Sequence, residues 1–128
     1  MDRIELEART KRFAQETIRF VGMLPRNSDA AILGRQLLRS GTSIGANYRE
    51  ANRAESRADF IHKLGLVEKE AAETEYWLQL LKEAGLGDGS KLNELLLEAN
   101  QLVRIFNRAN RSSKVPKIEQ SSNRATEQ

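Results

Sequence analysis

The clearest structural signal in the chain is the stretch SRADFIHKLGLVEKEAAETEYWLQLLKEAG, residues 56–85. Its apolar and small residues recur in alternating steps of four and three, at Phe60, Leu64, Val67, Ala71, Thr74, Leu78 and Leu81. This spacing places them along one side of an α-helix, as in the seam of a helical bundle. Ser56 followed by Asp59 resembles a capping box, and Gly85 with Leu86 is typical of a helix end. The stretch therefore predicts a long amphipathic helix that packs against other helices.

Three further helices are predicted around this one, over about residues 2–24, 28–54 and 90–110. Their boundaries rest on stop and capping signals at Pro25, at Asn27 or Ser28, and at Ser90. Short connections favour antiparallel neighbours, so we expect an all-α, up-and-down four-helix bundle over residues 1–110. Residues 111–128 are rich in Ser, Asn, Gln and charge without periodicity, and we expect them to form a disordered tail.

Composition restricts the class of protein more than the function. A chain of 128 residues suits one domain, and it has no cysteine, which fits a reducing cytoplasm. The first residues are charged, and no run approaches the roughly 18 apolar residues of a membrane span. The net charge of +3 is too small to indicate a nucleic-acid partner, so local placement of charge decides that question.

Signals for an enzyme are weak. His62 is the only histidine, so Asp59-x-x-His62 cannot supply the paired ligands of a di-iron bundle. Gly85-x-Gly87-x-Gly89 lacks the strand and the Lys-Ser/Thr of a phosphate loop, and is interpreted as a turn between helices. We therefore expect no catalytic residues, no metal and no cofactor.

Helix two carries the most informative polar pattern, an arginine ridge formed by Arg35, Arg39, Arg49 and Arg53. The helical period places these side chains within about 40° of one line, opposite the apolar line of Leu33, Leu37 and Ile44. A ridge of guanidinium groups can bind phosphates or carboxylates. The alternative is a solvated helix face, since charged faces are common.

The same helix has two other unusual sides. Gly34, Gly41 and Gly45 share one side, which indicates the close approach of another backbone, either within the bundle or between protomers. Because glycine disfavours helices, close packing explains three glycines on one line better than a ligand cleft does. A polar set flanks the apolar line and predicts a hydrogen-bond network across helices: Ser40, Ser43, Asn47 and Glu50.

Apolar residues outside the main seam predict self-association. Helix three has a second stripe formed by Leu66, Trp77, Leu80 and Ala84, and Leu97 and Ile105 lie off the main face of helix four. Burial of such a wide apolar arc favours an oligomer, although a bulky, irregular core is the alternative. The expected oligomer interface therefore contains Leu66, Trp77, Leu80, Gly41 and Gly45.

An ordered set of short motifs resembles the bacterial 23S rRNA intervening-sequence proteins, also called S23-like proteins. The motifs are Leu24-Pro25, Gln36-Leu37-x-Arg39-Ser40, Ser43-Ile44-x-x-Asn47, Asp59-Phe60 and Glu73-Thr74-Glu75-Tyr76-Trp77-Leu78. The resemblance covers about residues 10–110. Many members have Asn-Ile-Ala-Glu-Gly where this chain has Asn47-Tyr48-Arg49-Glu50-Ala51, so Arg49 extends the arginine ridge.

This resemblance implies a left-handed four-helix bundle that assembles into a ring, usually a pentamer. The family is similar to accessory proteins of diversity-generating retroelements, which bind nucleic acid and a reverse transcriptase. The family has no established enzymatic activity, so the resemblance supplies no catalytic residues.

We therefore expect a non-enzymatic, cytoplasmic, homo-oligomeric scaffold, which contacts RNA or DNA through the arginine ridge. The alternative is a module that recruits a partner protein without nucleic acid.

Overall fold

The computed structural model of the chain describes residues 1–115. These residues form four α-helices, α1 (Arg3–Gly22), α2 (Ser28–Asn52), α3 (Arg57–Glu83) and α4 (Gly89–Lys114). Each helix packs antiparallel against the next one in the chain, and α4 closes the bundle against α1, more loosely than the other neighbours pack. The predicted all-α, up-and-down four-helix bundle is confirmed.

The core follows the predicted seams. Six of the seven seam residues of α3 are buried and Phe60 is partly buried. Leu37 and Ile44 of α2 and Phe106 of α4 are completely buried, and the Tyr48 ring packs edge-on against Phe106 with the ring centroids 5.3 Å apart. Burying a large apolar side chain contributes about 1.5–3 kcal/mol. The shared core therefore stabilises helices that would be marginal alone.

The helix starts are fixed by side-chain caps. Asn27 Oδ1 accepts a hydrogen bond from the backbone N–H of Ala30 at 2.8 Å, which decides between the two predicted caps of α2. Ser56 Oγ accepts from the backbone N–H of Asp59 at 3.1 Å, as predicted for α3.

The predicted cap of α4 is wrong. Asp88, not Ser90, is the N-cap, and Asp88 Oδ1 accepts from the backbone N–H groups of Ser90 and Lys91 at 2.9 and 3.4 Å. A carboxylate also interacts more favourably than a hydroxyl with the positive end of the helix dipole.

The end of α3 is as predicted, whereas the ends of α1 and α4 differ from the predictions by a few residues. Gly85 has φ +69° and donates to the carbonyl of Lys82, while Leu86 donates to that of Leu81 at 3.0 Å, which is the predicted glycine-terminated end of α3. Helix α1 ends at Gly22, one turn or less before the predicted end. Helix α4 continues through residues 111–114, beyond the predicted end near Asn110. Val115 is the C-cap of α4, and the remaining residues of the predicted tail, 116–128, lie outside the described residues.

Candidate functional site

The arginine ridge lies on the outer side of α2. All four of its arginines are exposed, whereas Leu37 and Ile44 on the opposite side are completely buried. The helical period therefore sorts the polar and apolar sides of α2 as predicted. The environments of the four arginines nevertheless differ.

Arg39 is held by two carboxylates of its own chain. Its guanidinium donates to Glu70 at 3.3 and 3.4 Å and also to Oε1 of Glu73. Glu73 Oε1 accepts a further hydrogen bond from Trp77 Nε1 at 3.3 Å. The hydrogen bond to Glu73, reinforced by the charges of both glutamates, raises the pKa of Arg39. Arg39 of α2 and these two acids of α3 therefore pair within one protomer.

The other three arginines are less engaged. Arg49 Nε lies 4.0 Å from Oε1 of Glu7, at the limit of an ion pair, and both side chains are partly exposed. Within residues 1–115, no carboxylate lies within 4.0 Å of the guanidinium group of Arg35 or Arg53. The ridge thus has one neutralised arginine, one weakly paired arginine and two arginines open to an anionic ligand.

Gly41 and Gly45, expected in an interface between protomers, lie instead against α1 of the same chain. A Cβ atom at Gly41 would lie 2.9 Å from Cγ2 of Thr17, and one at Gly45 would lie 3.2 Å from Oγ1 of Thr10. Both threonines are completely buried. The predicted close approach is therefore present, but it is intramolecular, and these two glycines are corrected from the oligomer interface to the contact between α1 and α2.

The predicted polar network is smaller than expected. The hydroxyls of Ser40 and Thr74 lie 2.9 Å apart, in a buried hydrogen bond between α2 and α3. Ser43 donates to the backbone carbonyl of Arg39 in its own helix. Among residues 1–115, Asn47 and Glu50 have no side-chain hydrogen bond to another helix, and Glu50 is exposed. The expectation of a four-residue network is corrected to one bond, because the other three side chains lie further from the core.

An apolar stripe on α3 contains the other expected interface residues. Leu66 is 37 % exposed, while Trp77 and Leu80 are partly buried. Tyr76, which the helical spacing did not single out, is 52 % exposed, and its ring meets Trp77 edge-on with the centroids 5.0 Å apart. Leu66, Tyr76, Trp77 and Leu80 are called the α3 apolar stripe below. They extend over about 21 Å at the helical rise of 1.5 Å per residue.

A groove between α1 and α4 was not predicted from the sequence. It has a volume of about 660 Å³, an apolar floor that includes Phe13, Phe20 and Leu95, and a rim of charged side chains. Arg9 and Glu98 form a two-bonded ion pair across it, with both N–O distances at 2.7 Å, and the bond to Glu98 raises the pKa of Arg9. The groove exists because of the distance at which α1 and α4 pack, and helical periodicity in the sequence does not specify that distance.

Metal-ligating side chains do not converge in the part of the chain that the structure describes: no group of three or more His, Cys, Asp or Glu is placed to hold an ion. His62 is exposed, and Asp59 lies 3.3 Å from the ammonium of Lys63. None of the helices within residues 1–115 combines the length and apolar character needed to cross a membrane.

These features define a small helical-bundle protein whose notable surface groups are arginines, carboxylates and an apolar stripe. The chain belongs to the 23S rRNA-intervening sequence protein family, whose model matches residues 3–108. The resemblance drawn from the short motifs is thereby confirmed.

One similar solved structure is the 1.70 Å crystal structure of a protein with unknown function from the S23 ribosomal protein family of Bacteroides thetaiotaomicron VPI-5482. It is 33 % identical with a TM-score of 0.77, and the match covers 87 % of this chain and 99 % of that one. No curated protein matches this chain.

Proposed function

We propose that this protein is a non-enzymatic, homo-oligomeric scaffold of the cytoplasm, with a pentamer favoured, which binds RNA or DNA through the arginine ridge of α2. The observation that carries the proposal is the exposure of Arg35 and Arg53 with no carboxylate of residues 1–115 within 4.0 Å. Unpaired arginines on a rigid helix can form charge-assisted, two-bonded contacts with phosphate oxygens.

The ridge suits contact with a phosphate backbone without reading of sequence. Arg35 and Arg53 are 18 residues apart, which corresponds to about 27 Å along α2. A single strand can follow this line, and contacts to its phosphates position the polymer without distinguishing bases. Arg39 is expected to contribute least, because Glu70 and Glu73 already neutralise its charge.

The oligomeric part of the proposal rests on the α3 apolar stripe. Leu66 and Tyr76 are exposed apolar residues of one helix, and the Tyr76 ring packs against the partly buried Trp77. Burying such a stripe against a second copy removes apolar surface from water. An oligomer would also present several copies of the ridge to one polymer, which raises its apparent affinity.

The test combines binding with assembly. Fluorescence anisotropy with a labelled single-stranded RNA and a DNA of the same sequence gives the affinity over a range of salt concentrations. For the Arg35→Gln/Arg53→Gln variant we expect weaker binding of both, with the salt slope reduced by about 0.7 for each arginine that no longer binds a phosphate of a single strand. Lys11→Gln/Arg12→Gln, which removes two exposed charges from α1, is the matched control and should change binding less.

The quadruple variant, with all four ridge arginines replaced by glutamine, separates binding from assembly. An intact oligomer with unchanged affinity for RNA and DNA would remove the ridge as a nucleic-acid site. Dissociation of the oligomer, measured by light scattering, would reassign the ridge to assembly.

A second candidate function is recruitment of a partner protein without nucleic acid. The groove between α1 and α4 favours it, because an apolar floor containing Phe13 and Phe20 beneath a charged rim can accept a helix of another protein. A wild-type oligomer that binds neither RNA nor DNA at low salt would favour this function over the first.

A further inference from the structure

The C-terminal half of α4 exposes a line of cations that the sequence patterns on α2 did not include. The α4 cation stripe is formed by Arg104, Arg108, Arg111 and Lys114, all exposed. Residues 99–115 contain no aspartate or glutamate. Over the described chain, residues 1–115, no carboxylate lies within 4.0 Å of any of the four cationic groups. The stripe is therefore uncompensated positive charge.

The four side chains form a continuous line along the outside of α4. Their spacing of four, three and three residues keeps Arg104, Arg108 and Arg111 within about 60° of each other, with Lys114 about 60° further round. The line extends over about 15 Å. The apolar side of the same turns, with Leu102 and Phe106, is completely buried in the core. The exposed side of these turns therefore presents only polar groups to solvent, whereas a helix that lies on a membrane needs an accessible apolar side.

Helix stabilisation explains only part of the stripe. Cations in the last turn of a helix interact favourably with the negative end of its dipole, an effect that fades beyond that turn. This accounts for Arg111 and Lys114. Arg104 and Arg108 lie ten and six residues before the end of α4, too far to share in it. Their placement on the same line indicates a role outside the helix itself.

The stripe and the arginine ridge both reach the same end of the bundle, although α2 and α4 lie diagonally across it and are not adjacent helices. Antiparallel packing brings the end of α2 and the end of α4 to the same side of the molecule. Arg57, four residues after Arg53, donates hydrogen bonds to the backbone carbonyls of Ser113 and Val115 at 2.7 and 2.6 Å. The connection that carries Arg53 is therefore fastened to the end of α4.

We propose that the α4 cation stripe is a second phosphate-binding surface, which continues the path of a nucleic-acid strand from the ridge across the end of the bundle. The proposal rests on the proposed function, because it extends the same interface. Its occupant is the phosphodiester backbone, whose chemistry RNA and DNA share. Four neighbouring cations along the outside of α4 suit a polymer that carries one negative charge per nucleotide.

The test uses the full chain and two charge-matched variants. One replaces Arg104, Arg108, Arg111 and Lys114 with glutamine, and the control replaces Lys11, Arg12, Arg19 and Arg26. Binding of a single-stranded RNA and of the equivalent DNA is measured against salt. We expect the salt slope of the first variant to fall by roughly three, given about 0.7 per neutralised phosphate for single strands, and that of the control to fall by less than about one.

Each other outcome shows whether the stripe proposal alone fails or the ridge proposal fails with it. An unchanged slope in the stripe variant, with the Arg35→Gln/Arg53→Gln variant still weakened, overturns the stripe and leaves the ridge intact. Equal losses in the stripe variant and its control show a general charge effect and also overturn the stripe. Absence of binding by the wild-type protein overturns both proposals.

Two further measurements separate phosphate binding by the stripe from a loss of helix and from binding to a membrane. Circular dichroism shows whether the fourfold stripe variant has lost helix. If it has, the double variant Arg104→Gln/Arg108→Gln is used in its place, because it leaves the last turn of α4 intact. The salt slope of the double variant should fall by more than about one. Binding of the wild-type chain to vesicles that contain anionic lipid, lost in the stripe variant while RNA and DNA binding persists, would assign the stripe to a membrane surface and overturn the proposal.

Discussion

Gly41 determines how closely α1 and α2 approach each other. A Cβ atom at this position would lie 2.9 Å from Cγ2 and 3.1 Å from Oγ1 of Thr17, and Thr17 is completely buried. Thr17 also donates its hydroxyl hydrogen to the carbonyl of Phe13 at 2.8 Å, which restricts its rotamer. An added methyl group therefore cannot be accommodated by a simple side-chain rotation.

We expect Gly41→Ala to destabilise the protein by about 1–3 kcal/mol, the range typical of overpacking. Gly22→Ala is the control, because nothing lies within 4 Å of its added Cβ, and it should be neutral or stabilising by up to about 1 kcal/mol. Urea denaturation measures both. Thr17→Ser, which removes the clashing Cγ2, should partly rescue Gly41→Ala. A Gly41→Ala variant as stable as the wild type would contradict the close contact.

The sequence predicted the close approach at these glycines but not its partner. Three glycines on one line of α2 require a neighbour that comes near, since a helix otherwise favours alanine. Whether that neighbour is α1 or a second protomer depends on tertiary packing, which the spacing within one helix does not contain. The same limit applies to Arg39, because acids on α3 can face α2 within a chain or between chains.

At the scale of elements, the start of α4 is the clearest difference between sequence and structure. Gly87-Asp88-Gly89-Ser90 contains two good N-cap residues two positions apart, and local propensity does not choose between them. The choice follows from the turn: Gly87 has φ +88°, and a Cβ there would lie 2.8 Å from Phe20 Cζ. This packing fixes where the chain enters the helix.

Substitutions at the two candidate caps distinguish them. Asp88→Ala should cost about 1 kcal/mol, because it leaves the backbone N–H groups of Ser90 and Lys91 without their acceptor. Ser90→Ala should change stability by no more than about 0.5 kcal/mol, as for other exposed positions. The midpoints of urea denaturation give both values. A larger loss for Ser90→Ala than for Asp88→Ala would show that the helix starts later.

For the whole molecule, the predicted architecture is correct because four amphipathic helices with short connections have few ways to bury their apolar sides. The heptad of α3 identifies the part of the core that α3 contributes, and only Phe60 is less buried than the other residues of the heptad. The surface was predicted less well. The groove between α1 and α4 depends on the separation of these two helices. Which arginines of the ridge are paired depends on the ion pairs that form between helices.

Leu66 tests the proposed assembly surface. Leu66→Glu should shift the protein towards a smaller species, because it places a charge in the α3 apolar stripe, while helicity should be nearly unchanged at a position already 37 % exposed. Ile18→Glu is the control, at an exposed apolar residue of α1. Light scattering and circular dichroism measure the two effects. Equal dissociation by both substitutions would argue against α3 as the interface.

The most direct test of an oligomeric nucleic-acid scaffold is the mass of the wild-type protein in solution, measured by light scattering on the eluting peak with and without a single-stranded RNA. A chain of 14.5 kDa should elute as a stable species of several times that mass, with five times favoured, and the mass should rise when RNA is added at low salt. A species of 14.5 kDa at micromolar concentration, unchanged by RNA, would contradict both the assembly and the binding.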